Sequence, residues 1–382
     1  MVSRVRPFAV DVSDEVLDNL QSRLARTRWP SPMPASGWAY GVELDYLRGL
    51  VEYWATEFDW RAREQWLNSF AQFTADIDGQ TIHFVHERGR GPKPLPLVLT
   101  HGWPSSYVEL LSLVPLLTDP AAHGGRASDS FDVVIPSLPG YAFSGRPTGA
   151  GRCTPGSMAR MWARLMTECL GYSRFGAQGQ DIGAAVTLGL AADHPDLLAG
   201  IHLTGILAFP PRDRPLTEEG QAFLSRQERW SRAEGAYSHQ QGTYPQTLAY
   251  GLTDSPAGLA AWIVDKFRAW SDCDGDVEKR FTRDDLLTNI TIYWVTGTIN
   301  TSFLFYYESQ HDSGSWRGDR TEVPVGVALF PKENPITGPR EWAEQSYNIV
   351  RWTEMPRGGH FPAAEEPELL ATEIREFFRP LR

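Results

Sequence analysis

An α/β fold with a mostly parallel central sheet and helices on both faces is what the sequence predicts, on three observations. Short β-branched runs recur from about residue 78 and alternate with helix-like stretches, the pattern of a sheet whose crossovers are helical. The first 77 residues carry helical spacing instead. Between 206 and 315 the β-rhythm lapses into long polar and aromatic helical stretches. A chain of 382 residues has room for one large α/β unit with such insertions.

Taken in order, residues 1–77 are expected to form an N-terminal helical region. Ser13 reads as an N-cap with Asp14 and Glu15 in the first turn, and Val16, Leu17, Leu20 and Leu24 recur at helical spacing until Arg28, Trp29 and Pro30 stop the run. A second helix presents Leu44, Leu47, Leu50, Val51 and Trp54 on one face, and the aromatic residues around it are suited to packing. Residues 78–205 are expected to form the first part of an α/β core, with strands in QTIHFVHE, PLPLVLT, SFDVVIP, RFGAQG and LAGIHLTG. Positions 206–315 are expected to be a helical lid (cap) over the carboxyl edge of the sheet, AGLAAWIVDKFRAW (257–270) being a clear helix. Residues 316–382 then complete the core through VPVGVALF and YNIVRWTEM.

Composition narrows the partners. Hydrophobic residues at 42% and charged residues at 22% are ordinary globular values, and a net charge of −11 lacks the electrostatic footprint for nucleic acid or an anionic membrane. A small-molecule partner is expected, with the oligomeric state left open and a homodimer as one arrangement. The cysteines Cys153, Cys169 and Cys273 are odd in number and share no metal-ligand spacing, so no disulfide framework or metal follows. No apolar run is long enough for a signal peptide or a span of about 20 residues, and the expected location is the cytoplasm.

The chemistry starts from GAQGQDIGA, 176–184, where Asp181 stands between a strand and a helix-like run. Gly179 and Gly183, two residues either side, let the backbone bend sharply and push the side chain out above the sheet. The N–H of Ile182 then opens the following helix and faces developing negative charge. His101-Gly102-Trp103-Pro104 ends the strand PLPLVLT, where the N–H of Trp103 can be a second oxyanion donor; His101 itself reads as a turn-stabilising residue. His360, on the loop Arg357-Gly358-Gly359-His360-Phe361 after the last strand, suits a mobile general base. Glu333, just past VPVGVALF, is the expected acid that orients it, with Glu354 as the rival; Glu354 is nearer in sequence but sits inside a strand. A carboxylate at the apex can open a strained three-membered ring and leave an ester, which hydrolyses readily, whereas serine would leave a resistant ether.

Several motifs in order, ARTRWP (25–30), HGWP (101–104), PSLPGYAFS (136–144), GQDIG (179–183), YWVTGTINTSFLFYYE (293–308) and RGGHFPAAEEPELLA (357–371), make the chain resemble the α/β-hydrolase-fold epoxide hydrolases of the microsomal and juvenile-hormone type, as a soluble bacterial member. The resemblance covers nearly the whole chain. It implies that Asp181 is the nucleophile, Glu333 the acid and His360 the base of a triad, with no cofactor and no metal. It also implies two lid tyrosines that protonate the epoxide oxygen. Tyr306 matches one, with Tyr307 the alternative by a one-residue slip; Tyr237 matches the other, with Tyr244 and Tyr250 close behind. A phenol with pKa near 10 stays protonated at neutral pH and is a sensible donor to an alkoxide.

The implied reaction converts an apolar or aryl epoxide to a vicinal diol through an aspartyl ester, in detoxification or in natural-product assembly such as that of enediynes. Trp230, Trp262, Phe267 and Trp270 suit a greasy pocket in the lid. Departures from the family are the missing N-terminal anchor, Ser105 where glycine usually follows HGWP, and Ile182 where many relatives carry Trp. The last removes an aromatic wall and is expected to alter which epoxides fit. A haloalkane dehalogenase-like hydrolase also uses aspartate here, but Ile182 lacks its usual halide donor. A non-catalytic ligand-binding protein on the same scaffold is the other reading, against which the intact Asp, Glu and His stand.

Overall fold

The computed structural model describes residues 5–34, 37–149, 151–311 and 320–382. The chain starts with a short strand, β1 (Arg6–Phe8), and three helices, α1 (Asp14–Ala25), α2 (Leu44–Thr56) and α3 (Trp60–Leu67). Ser13 is the residue before α1, but its side chain makes no capping hydrogen bond. The predicted apolar face of α2 is buried through Leu47, Leu50, Val51 and Trp54. The expectation that residues 1–77 are helical needs correction, because β1 and β2 (Gln72–Ile77) are strands within them. β2 is a half-buried antiparallel strand in which polar Gln72, Thr74 and Asp76 alternate with apolar Phe73, Ala75 and Ile77, a period-2 pattern that the helical reading passed over, and β1 pairs along it.

A nine-stranded sheet follows in the order β1-β2-β3-β5-β4-β6-β7-β8-β9. Its remaining strands are β3 (Gln80–Glu87), β4 (Leu95–Thr100), β5 (Phe131–Pro136), β6 (Phe175–Gly179), β7 (Leu198–Leu203), β8 (Thr321–Leu329) and β9 (Tyr347–Glu354). β3 runs antiparallel to both neighbours, and from β5 to β9 all pairs are parallel. The helices α4 (Leu113–Thr118), α5 (Pro155–Arg164) and α6 (Ile182–Asp193) are among the crossovers. The central strands β5, β6 and β7 are buried at every position, which explains their near-continuous apolar runs.

Parallel pairing places the ends of the central strands on one edge, where open α/β sheets carry their sites. Thr100 pairs with Gly179, so the turns after β4 and β6 emerge side by side. Over that edge lie α7 (Glu218–Glu234), α8 (Ala236–Thr243), α9 (Pro245–Asp254), α10 (Pro256–Trp270), α11 (Arg283–Thr296), α12 (Ile299–Ser302) and α13 (Leu304–His311). The expected boundary between 315 and 316 lies outside the described residues. α14 (Arg340–Ala343) lies between β8 and β9, and after β9 the chain continues through α15 (Pro362–Glu365) and α16 (Pro367–Phe378). Among the described residues no helix is long and apolar enough to cross a membrane.

Candidate active site

Asp181 adopts φ 51° and ψ −123° directly before α6, a backbone state rarely open to a residue with a side chain. Space enforces the glycines around it. A Cβ on Gly179 would meet the Gly183 carbonyl oxygen at 2.1 Å, one on Gly183 would meet the Thr100 oxygen at 2.0 Å, and one on Gly102 would strike the Asp181 side chain at 2.3 Å. The bend therefore brings β4, β6 and α6 into backbone contact and leaves Asp181 facing the turn after β4.

That turn holds one carboxylate oxygen. The Trp103 N–H donates to Asp181 Oδ1 at 2.8 Å. The turn is pinned from the helical cover: Asn289 Nδ2 donates to the Pro104 carbonyl at 2.9 Å, and the Tyr293 hydroxyl to the Ser105 carbonyl at 2.9 Å, both from α11. His101 is fully buried, accepts the Leu138 N–H through Nε2 at 3.2 Å and is pushed down to about 4 by that burial, as suits a turn-stabilising residue. Ile182 is the first residue of α6, so its N–H is one of the groups at that helix terminus without an intrahelical acceptor; its side chain is buried in the core shared with Trp103, Tyr237 and Tyr306.

The other oxygen, Oδ2, lies 3.6 Å from His360 Nε2, and Nδ1 of the same ring lies 2.7 Å from Glu333 Oε1. Burial would push this imidazole down, but Glu333 and Asp181 on its two sides outweigh burial and hold its pKa well above the usual value. Glu354, the rival, ends β9 as an exposed residue paired with Leu329 of β8, while Glu333 lies four residues beyond that strand and reaches the ring.

The tyrosines complete an aromatic enclosure. The Tyr237 ring stacks on Trp103 at 5.2 Å and 6° and stands 5.8 Å from Tyr306, edge to face. Burial raises both phenols, with the Asp181 charge adding to it, so both keep their protons. The alternatives are displaced: Tyr307 is 38% exposed, Tyr244 72% and Tyr250 71%, against 9% for Tyr237 and Tyr306. Of the expected lid aromatics, Trp270 packs edge-on to His360 at 5.1 Å and Phe267 stacks on Phe361 at 4.3 Å. Trp262 instead lines a cavity with Trp29 and Leu47 of the N-terminal region, and Trp230 lies tilted against Trp270 at 6.5 Å and lines a further cavity with Pro335 and Ile336.

Sequence reasoning missed the residues that hold these groups in place. The Glu365 carboxylate accepts N–H groups of Gly359 (3.1 Å), Phe361 (2.9 Å) and Asp272 (2.7 Å), bracing both flanks of His360 and tying them to the chain after α10. The His360 N–H itself donates to the Trp270 carbonyl at 2.9 Å. Buried Lys266 sits 5.5 Å over the Tyr237 ring and pairs with Asp265 and Glu234. Backbone acceptance by Glu365 leaves no trace in residue spacing; the available signal was a pair of acidic residues, Glu365 and Glu366, closing the otherwise apolar turn PAAEE. Among the described residues no cluster of side chains could hold a metal ion, and the cysteines are free.

Residues 5–110 match the family model "Epoxide hydrolase N terminus", and residues 96–268 match "alpha/beta hydrolase fold". The chain is 38% identical to epoxide hydrolase 1 of Oryctolagus cuniculus over 98% of its own length and 88% of that relative. The juvenile hormone epoxide hydrolase structure from Bombyx mori superposes with a TM-score of 0.90 at 30% identity, covering 100% of this chain and 95% of that one. The Aspergillus niger epoxide hydrolase structure gives 0.86 at 30% identity, covering 100% and 97%.

Proposed function

Because this chain belongs to the epoxide hydrolase family of α/β-hydrolase-fold enzymes, we propose that it converts an apolar or aryl epoxide and water to a vicinal diol through an ester on Asp181, without a cofactor. The observation that carries this reading is the division of labour within one carboxylate: Oδ1 is seated against the Trp103 N–H while Oδ2 faces His360 without a donor from the turn. Oδ2 attacks a ring carbon, the carbon–oxygen bond of the epoxide breaks, and the leaving oxygen takes a proton from Tyr237 or Tyr306. Positions 206–315 act as the lid that supplies those tyrosines.

Esterification removes the Asp181 charge, one of the causes that hold the His360 pKa up. The imidazolium then yields its proton towards the phenolate and becomes the neutral base, oriented by Glu333. It takes a proton from water, whose oxygen attacks the ester carbonyl; negative charge collects on Oδ1, where the Trp103 N–H already points and the Ile182 N–H joins it. Collapse frees the diol and restores the carboxylate. A pair of phenols suits an alkoxide leaving group and has no counterpart in halide release.

A single turnover of styrene oxide in ¹⁸O-labelled water tests the covalent step. The first diol is expected to carry unlabelled oxygen from Asp181, with label entering the enzyme carboxylate; first-turnover diol already labelled means direct attack by water and sinks the reading.

A further inference from the structure

Lys266 is a charged residue in apolar surroundings to which the reaction above gives no part. It shares the buried stripe of α10 with Ile263, Phe267 and Trp270, three or four residues away on either side. An ammonium in such a place is costly unless it is paired. On one side Nζ lies 2.8 Å from Asp265 Oδ2 and 3.3 Å from Glu234 Oε2. On the other it lies 5.5 Å from the centre of the Tyr237 ring and 5.7 Å from that of Trp270, over both faces.

The two sides are not equivalent. The carboxylates are 31% and 33% exposed against 9% for the lysine, so water screens their charges. Tyr237, Trp103 and Trp270 are buried together, and the field of Nζ reaches them with little screening. The two phenols differ in the same way. Around Tyr306 the acting groups are Tyr237, Asp181 and Tyr141, all of which oppose its ionisation. Tyr237 also faces carboxylates, but it has an ammonium on its ring. In ring opening Asp181 Oδ2 bonds to a ring carbon, the epoxide carbon–oxygen bond breaks, and a phenol proton passes to the freed oxygen. The negative charge that leaves Asp181 ends on that phenolate and spreads over its ring. A cation above the ring is held more strongly by phenolate than by phenol, so its attraction grows towards the transition state.

We propose that Lys266 is a positioning residue for ring opening: its charge stabilises the one that Tyr237 acquires, and so makes Tyr237, not Tyr306, the phenol that gives up its proton. Tyr306 then holds the epoxide oxygen by a hydrogen bond and keeps its own proton. The proposal rests on the covalent reading above and divides the work between its two tyrosines. Ester hydrolysis does not require a proton from either phenol and is left untouched.

Single-turnover fluorescence with styrene oxide separates substrate binding, ester formation and ester hydrolysis. Lys266→Gln, neutral but still able to donate to Glu234, is expected to slow ester formation about tenfold or more, the worth of a desolvated cation on a ring. Binding and hydrolysis stay unchanged, and Lys266→Arg recovers most of the rate. The same loss is expected in a Tyr306→Phe background and none in Tyr237→Phe, where the phenol that Lys266 serves is gone. Glu234→Gln breaks the ion pair but leaves the cation, and is expected not to slow ester formation. A wild-type rate in Lys266→Gln overturns the proposal. So does equal slowing in the Tyr237→Phe background, or in Glu234→Gln, either of which makes Lys266 a structural tie between α7 and α10. Where Lys266→Gln fails to fold, the tyrosines still decide: Tyr237→Phe is expected to lose more ester formation than Tyr306→Phe, and an equal or reversed loss overturns the assignment. A wild-type enzyme that forms no ester at all is a separate result, which removes the covalent reading and this proposal with it.

Discussion

Asp181 at φ 51° stores strain of about 1–3 kcal/mol, held by backbone contacts that admit only glycine at 179 and 183. This strain aims the carboxylate between an N–H donor and an imidazole, so the residue trades stability for a fixed direction of attack. The tyrosines are the complementary part. Their raised pKa values mean that neither ionises near neutrality, and each can give a proton only to a base as strong as an alkoxide. We predict that replacing both by Phe lowers ester formation by about 10²–10⁴-fold, the usual worth of a general acid, with each single variant losing less because the other hydroxyl remains. The rate of ester formation in rapid-mixing experiments checks this; an unimpaired double variant would remove both from the mechanism.

Among the elements, the turn between β9 and α15 is the one on which the base depends. Glu365 accepts three backbone N–H groups there, two of them flanking His360. Glu365→Ala leaves those donors unpaired in a buried place. The expected outcome is a loss of about 3 kcal/mol of stability, read by denaturant melting, together with slower ester hydrolysis; unchanged stability would show that the turn holds itself. This brace also marks where sequence reading stops. The elbow was legible because Gly-x-Asp-x-Gly states a steric need, and Glu333 was preferred to Glu354 because a residue beyond a strand end can turn towards a neighbouring loop while one within β9 cannot. α2 and α10 were legible from apolar spacing. β1 was not, since a three-residue edge strand is too short to show a period, and β2 was missed although its six residues alternate polar and apolar, because the run is brief and follows directly on helical spacing. Glu365 looks like any surface acid in one dimension, and only the fold reveals that it is buried.

Across the whole molecule, buried histidines tie stability to pH. Burial pushes His83 down to about 3 and His86, His101 and His202 to about 4, against 6.5 in an unfolded chain. Between those values the unfolded chain binds protons that the folded one refuses, so their contribution is complete above about pH 6.5 and is lost as pH falls towards 4, at up to about 1.4 kcal/mol per histidine per pH unit. His360, whose folded pKa is raised, works the other way: its contribution is present below 6.5 and lost as pH rises through the folded value. The depressed group outnumbers it, and Tm is expected to drop by on the order of 10 °C between about pH 7 and pH 5; a flat profile in a thermal scan would contradict the burial of these rings. Lid and base loop are also joined in this assembly, since the Trp270 carbonyl takes the His360 N–H and Glu365 clasps Asp272 and Gly359 together. Raising the roof would therefore carry the base away with it.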